Sequence, residues 1–312
     1  MLKGYLTLIL GLKMGIGSCL YAQTDEIRLG KLSEGLRAFA KGSKMGFMDE
    51  NNNVVLAPTF YIGDYSSTPC FNEGLCIVFE PPTQTYYDYL KYGFIDKDFK
   101  TVIPFMFDYS GFHCNELLPE FEHGRTVVSL RDPKTQNDFF YLINPKGQIL
   151  GEKFENWAGC HASCLYYPEI SETLCAASRD GFFGYLNSET GATAIPFTYT
   201  QAGPFSGGIA AVEIDNKYIV FINKNGIQLL PQKFATSQKG DNRAIYHNAS
   251  GCALTNGFVK GRIILRYYDN DGAGPVVYGL IDRKGNVIEK LTEEEFWSST
   301  KWDEYKWDYG QN

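Results

Sequence analysis

At 312 residues, with 44% hydrophobic and 15% aromatic side chains, the chain is long enough to bury a sizeable core, and 32 Gly beside 22 Phe and 21 Tyr suit short strands and many turns better than long helices. The formal net charge is −7 and the basic residues are scattered singly, which excludes the basic stripe that neutralises phosphates in a nucleic-acid binder. No P-loop, GxGxxG, GxSxG, HExxH or paired CxxC is present, so no catalytic residue, metal or cofactor is assigned.

The first element, residues 1–22, is a targeting segment: Lys3, then the apolar run Tyr5–Leu12, then small residues. Lys13 ends that run well short of the length that spans a bilayer. Two processing readings stand side by side. "IGSC" (Ile16–Cys19) resembles a bacterial lipobox, with Cys19 lipidated, and "LYA|Q" allows ordinary cleavage after Ala22. Either removes Lys3 and Lys13 and takes the net charge from −7 to −9. The expected location is outside the cytoplasm, as a periplasmic protein, an outer-membrane lipoprotein or a secreted one, with Cys19 the sole membrane attachment.

From there two half-motifs alternate. The first half to appear reads aromatic or apolar–x–x–Gly–apolar or Arg, then alternating apolar residues. It begins at Leu32, Phe71, Phe121, Ile170, Phe205 and Phe258, with Thr173 replacing the Gly in copy four. The second half reads aromatic–Gly–apolar–apolar–Asp/Asn, a turn, then a β-branched run often ending in Pro. Its Asp/Asn falls at Asp49, Asp96, Asn144, Asn187, Asn223 and Asp282, and the residue three before is Gly46, Gly93, Tyr141, Gly184, Val220 and Gly279. Spacings of 47, 48, 43, 36 and 59 residues between successive copies place insertions in surface loops.

Alternation up to Asp96 in "YGFIDKDFKTVIP" predicts a strand. The Asp or Asn bonds its own backbone two residues on and starts a turn, Gly near the turn's end supplies a positive φ, and Pro104 stops the returning strand or marks an edge. Gly93 is expected to leave room for an aromatic ring lying across the strand. Each unit is thus a hairpin plus a strand. No unit can bury its aromatic face alone, so units must stack.

These residues resemble the WG-repeat (KWG-type) family of bacterial proteins, whose core reads roughly W-G-x-I-D-x-x-G-x-x-V-I-P followed by F-x-x-G-L-A-x-V. The resemblance covers roughly residues 30–290 and is strongest in copies two and six. The name-giving Trp is replaced throughout by Met45, Tyr92, Phe140, Phe183, Ile219 and Tyr278. It implies an all-β tandem array of about six units over residues 23–290, as an open superhelix or solenoid, with a closed six-bladed propeller-like ring as the alternative. It implies no reaction.

The tail, residues 291–312, opens with Thr292 and Glu295 in capping-box spacing, so a short helix from about Glu293 is expected. Trp297, Trp302 and Trp307 either cap the exposed end of the array or form an aromatic platform for a sugar or a partner. Cys160 and Cys164 in "GCHASC" are the nearest disulfide candidates. Cys70, Cys114 and Cys252 join them in loops that disulfides would pin, and Cys76 and Cys175 fall at core positions. His161 between two thiols lacks a fourth zinc ligand, and Asp269, Asp271 and Gly272 lack the distal Glu of a calcium loop. Arg125 and Arg262 share one repeat slot, read as structural.

The functional expectation is an exported, non-catalytic binding scaffold whose partner is an envelope protein or glycan. The competing expectation is a carbohydrate-active enzyme, with two carboxylates converging at about 5–9 Å. A third is an envelope assembly component anchored through Cys19.

Overall fold

The computed structural model describes residues 27–62, 68–81, 90–109, 118–155, 170–237 and 258–302. Its strands form three antiparallel meanders, each holding two repeat units. The first contains β1 (Ile27–Ser33), β2 (Leu36–Lys41), β3 (Lys44–Asp49), β4 (Val54–Tyr61), β5 (Cys76–Phe79), β6 (Leu90–Ile95) and β7 (Thr101–Tyr109). The second contains β8 (Thr126–Arg131), β9 (Asp138–Ile143), β10 (Ile149–Glu155), β11 (Ile170–Ser171), β12 (Leu174–Arg179), β13 (Phe182–Asn187) and β14 (Thr193–Tyr199). The third contains β15 (Gln201–Ala202), β16 (Ile209–Ile214), β17 (Tyr218–Asn223), β18 (Phe234–Ala235), β19 (Arg262–Tyr268), β20 (Val276–Asp282) and β21 (Val287–Thr292). A single helix, α1 (Glu293–Ser298), follows among the described residues. The all-β array read from the sequence is therefore the observed one. β1 and β21 lie in different sheets and pair with β2 and β20, so among the described residues no strand pair joins the two ends of the array.

Local chemistry sets each turn. In the first half-motif the third and fourth residues both take positive φ, as in Glu34 (53°) and Gly35 (84°), or Glu73 (51°) and Gly74 (78°). Two successive positive φ values make the primed turn whose twist matches the flanking strands. In the second half-motif the Asp/Asn side chain organises the turn as expected. Asp49 Oδ1 accepts the backbone N–H of Asn51 and Asn53, and Asp96 Oδ1 accepts those of Asp98 and Lys100. Asn144, Asn223 and Asp282 repeat the pattern. Asn187 accepts from Glu189 and Thr190 instead, in a turn that carries one extra residue.

Two expectations about the returning strand need correction. Pro104 does not end it but does mark an edge: β7 runs through Pro104 to Tyr109 as the last strand of its sheet, and the Pro sits where the register between β6 and β7 shifts. A bulge tolerates the missing donor. The ring expected over Gly93 is not there either. A Cβ on Gly93 would lie 2.3 Å from the Ile103 carbonyl oxygen, and one on Gly46 or Gly184 would lie 2.4 or 2.6 Å from that of Leu56 or Ile195. The bulged backbone of the neighbouring strand crosses these glycines, so the sequence signal is a close backbone approach. Only at Gly279 does a ring, that of Tyr267, take this place.

The cores lie between units. Phe47 of the first unit packs with Phe71, Cys76 and Ile95 of the second. Tyr92 and Phe107 of the second pack with Phe121, Val128 and Ile143 of the third. Phe140 and Phe154 pack with Cys175 and Leu186, Tyr185 with Phe205 and Val220, and Phe221 with Phe258 and Leu265. Where the first half-motif opens on Phe, that ring is the inserted one. The Phe47–Phe71, Phe94–Phe121, Tyr185–Phe205 and Phe221–Phe258 centroids are 5.2, 5.0, 4.8 and 5.3 Å apart. Cys76 and Cys175 are buried in these cores.

Two substitutions test this account. Gly93→Ala forces a Cβ into a backbone carbonyl that cannot move independently, and should cost about 2–3 kcal/mol in denaturant unfolding. Thr173 holds φ 70°, a β-branched residue in the left-handed region. Thr173→Gly relieves about 1–2 kcal/mol of strain and returns part of it as unfolded-state entropy, so a net gain of about 0.5–1 kcal/mol is expected. A loss of stability in that variant would contradict the turn assignment.

Candidate functional site

The surface richest in placed charge is the row of first-half-motif turns, which hand over from unit to unit. The Glu34 carboxylate accepts the Gly74 N–H and pairs with Lys97 Nζ at 3.0 Å. Glu73 accepts the Gly124 N–H at 2.7 Å. Glu172 accepts the Gly208 N–H and pairs with Lys224 Nζ at 2.9 Å. The glutamates occupy one repeat position, the glycines the next position of the following unit, and the lysines the residue after that unit's turn Asp/Asn. Alongside runs a second ladder: Ser33 Oγ donates to the Phe71 carbonyl, Ser171 Oγ to that of Phe205 and Ser206 Oγ to that of Phe258. Between units three and four, where His123 replaces the glutamate, Arg125 donates to the carbonyls of Ser188 and Glu189. The sequence reading missed Glu34, Glu73, Glu172, Lys97 and Lys224. Stacking the six copies shows Glu three times at one position and Lys or Arg three times after the turn Asp/Asn, and that was the available signal.

The two clamps that include a lysine favour the ionised carboxyl. Lys97, by its hydrogen bond first, and the Gly74 N–H pull Glu34 below the usual carboxylate range. At Glu172 burial works upward but is outweighed by Lys224 and the Gly208 and Gly207 N–H groups, so this carboxyl is also lowered.

The C-terminal face is the other candidate. Helix α1 starts at the expected capping box: Thr292 Oγ1 accepts the Glu295 N–H and the Glu295 carboxylate accepts the Thr292 N–H. Phe296 stacks on Tyr278 at 4.0 Å and 3°, and Trp297 meets both rings edge-on. Trp302 is 1% exposed, buried against Tyr278, Leu280 and Phe296. Its indole N–H donates to Glu289, which Lys301 also contacts. Glu289 occupies the strand position of Leu56, Ile103, Leu150, Ile195 and Leu230, which the next unit's turn covers in units one to five. Trp302 thus takes the place of a seventh unit. The platform reading does not hold for Trp302, because a side chain committed to packing offers no face. Trp297 is 48% exposed, and Trp307 lies outside the described residues.

Cys19, Cys114, Cys160, Cys164, Cys252 and His161 also lie outside the described residues. Cys70 is a free thiol donating to Glu120, with its pKa pushed up to about 11 by burial and by that carboxylate. A disulfide at Cys70 is not what the structure contains. Asp269, of the calcium-like stretch, pairs with Lys290 Nζ at 2.6 Å. No helix among the described residues is long and apolar enough to cross a membrane.

The clamps carry a pH dependence. A carboxyl lowered in the fold stabilises above the unfolded value, about 4.3, and loses that contribution as pH falls through the folded value. A Glu34→Gln/Glu172→Gln variant should be about 1 kcal/mol less stable than the parent at pH 7, since each exposed pair contributes a few tenths to 1 kcal/mol. The difference should close below about pH 4 in urea titrations. A gap that persists at pH 3 would show that the clamps are not electrostatic.

No curated protein matches the chain by sequence. Among solved structures, BamB from Moraxella catarrhalis is 12% identical, with 85% of this chain and 76% of that chain covered and a TM-score of 0.43. Hsv2p of Kluyveromyces lactis is 10% identical, with 85% of each chain covered and a TM-score of 0.40. The designed protein Ika8 is 10% identical, covering 84% and 85%, at 0.37. Likeness this loose fixes neither strand topology nor function. The model of the WG containing repeat matches residues 92–115, starting in the second unit, and 183–218, running from the fourth unit into the fifth. In those two segments the chain resembles the WG-containing repeat, with Tyr92 and Phe183 where the repeat carries its tryptophan.

Proposed function

We propose that this chain is an exported binding scaffold of the cell envelope and that it does not catalyse. The repeat array with a built end supports a scaffold reading, and the leader-like residues 1–22 with Cys19 support export. The observation that carries the non-catalytic part is how the carboxylates are used. Glycoside hydrolysis needs a carboxyl kept protonated near neutral pH and exposed beside a second carboxylate. Among the described residues the carboxyls with resolved shifts are mostly lowered by structural partners: turn N–H groups and Asn side chains at Asp49 and Asp282, the clamps at Glu34 and Glu172, Lys301 and Trp302 at Glu289. Glu213 is the raised one, pushed up by burial; it is 3% exposed and accepts from Thr200 Oγ1 at the contact between units four and five. A buried carboxyl serving a unit contact is poorly placed to protonate a leaving group.

The partner classes are an envelope protein or a glycan. Incubating the full chain with purified peptidoglycan and with envelope vesicles, then measuring co-sedimentation and reducing-end release, separates the readings. Saturable binding without new reducing ends is expected. Steady release of reducing ends would replace the scaffold with a glycan-cleaving enzyme.

A further inference from the structure

The contact between units five and six departs from the clamp rule in one way. The position held by Glu34, Glu73 and Glu172 is Gly207, with no side chain. The parts that receive the carboxylate elsewhere are still there. Gly261, in the place of Gly74, Gly124 and Gly208, has φ 77°, against 78°, 70° and 78° for those three. Arg283 follows the turn residue Asp282 as Lys97 follows Asp96 and Lys224 follows Asn223. Its guanidinium lies over the empty Cβ position of Gly207, 2.2 Å from both terminal nitrogens, and its Nε is 3.8 Å from the Cβ position of Gly261. The guanidinium also faces the Phe258 ring at 5.8 Å. Among the described residues no carboxylate pairs with Arg283. The nearest acidic side chain in sequence, Asp282, is spent on the N–H groups of Lys284 and Asn286 and on the Asn286 amide.

We infer that Gly261 N–H and Arg283 form a carboxylate-binding site on the surface, which takes from an acidic peptide side chain the group that a glutamate supplies internally at the other clamps. Three features of the same molecule specify that chemistry. The backbone donor has the conformation that binds Glu carboxylates at three other junctions. The cation is placed as Lys97 and Lys224 are, and Arg in place of Lys allows a two-pronged contact with both carboxylate oxygens. Gly207 brings no carboxylate of its own, and the Arg283 guanidinium rests on its exposed backbone where a resident side chain would start. The site would exist equally on a scaffold or on an enzyme, so it does not rest on the proposed function.

The test uses the full chain labelled with 15N and glutarate as the probe, with inorganic phosphate in parallel. Glutarate should shift the Gly261 amide saturably. Arg283→Gln, at an exposed side chain, should weaken the response roughly tenfold or more, the loss of a charge-assisted contact. Gly207→Glu should abolish the response by supplying the carboxylate in cis. An unmoved Gly261 amide, or an equal response in Arg283→Gln, overturns the site. Saturation by phosphate at the same concentration as glutarate overturns the carboxylate assignment. Should Gly207→Glu fail to fold, the Arg283→Gln comparison decides alone.

Discussion

The constraint from which the rest follows is that no repeat unit contains its own core. Each hairpin presents a ring such as Phe47, Phe94, Tyr185 or Phe221 that becomes buried only when the next unit inserts Phe71, Phe121, Phe205 or Phe258 against it. Burying a pair of aromatic side chains is worth several kcal/mol, whereas a clamp such as Glu172 with Lys224 is worth a fraction of one. The rings therefore hold the array together. The clamps, each a carboxylate on one backbone N–H of the next unit with a lysine added at Glu34 and Glu172, tie defined positions of neighbouring turns together. A one-residue slip at any junction would part both together.

Both ends of the array must solve the problem of a missing neighbour. At the start, β1 pairs along β2 and places Arg28 opposite Ala40, the pairing that Tyr61 makes with Phe79 between the first two units. The leading strand thus stands where a preceding unit's return strand would be. At the finish, an apolar strand position becomes Glu289, and Trp302 supplies the covering surface while bonding that carboxylate. An array end needs both changes. A bare leucine there would remain exposed, and Trp302 would lose its acceptor.

The legible parts of this molecule were those encoded within about ten residues of chain. Asp49 and its counterparts start their turns because the partner amides lie two and four positions away, and Thr292 with Glu295 caps a helix for the same reason. What could not be read was cross-unit. Glu34 and Lys97 are far apart in sequence and meet only because units stack, so each reads locally as a solvated charge. Gly93 shows the intermediate case. Its need for space was plain, but only the folded register says that the space is filled by the Ile103 carbonyl and not by a ring. Trp297 and Trp302 were indistinguishable in sequence, since both sit in an acidic, aromatic tail. The fold separates them by assigning one ring to the last core and leaving the other outside.

The grouping of six units into three sheets has a mechanical consequence. Within a sheet, successive units are laced by a strand pair, as at Tyr61–Phe79, Glu155–Ser178 and Ala235–Tyr268. Between the second and third sheets the return strand of unit four runs on from β14 into β15 and pairs with β16, whereas between β7 and β8 no ladder is formed among the described residues and the junction is held by Tyr92 and Phe107 packing on Phe121 and Val128 and by Ser129 Oγ bonding the Asp108 carbonyl. Tension applied along the chain is therefore met at these junctions by ring packing, joined by a strand pair everywhere except between β7 and β8. The module of cooperativity is then any two neighbouring repeats, within a sheet or across two, because two are what it takes to enclose a core.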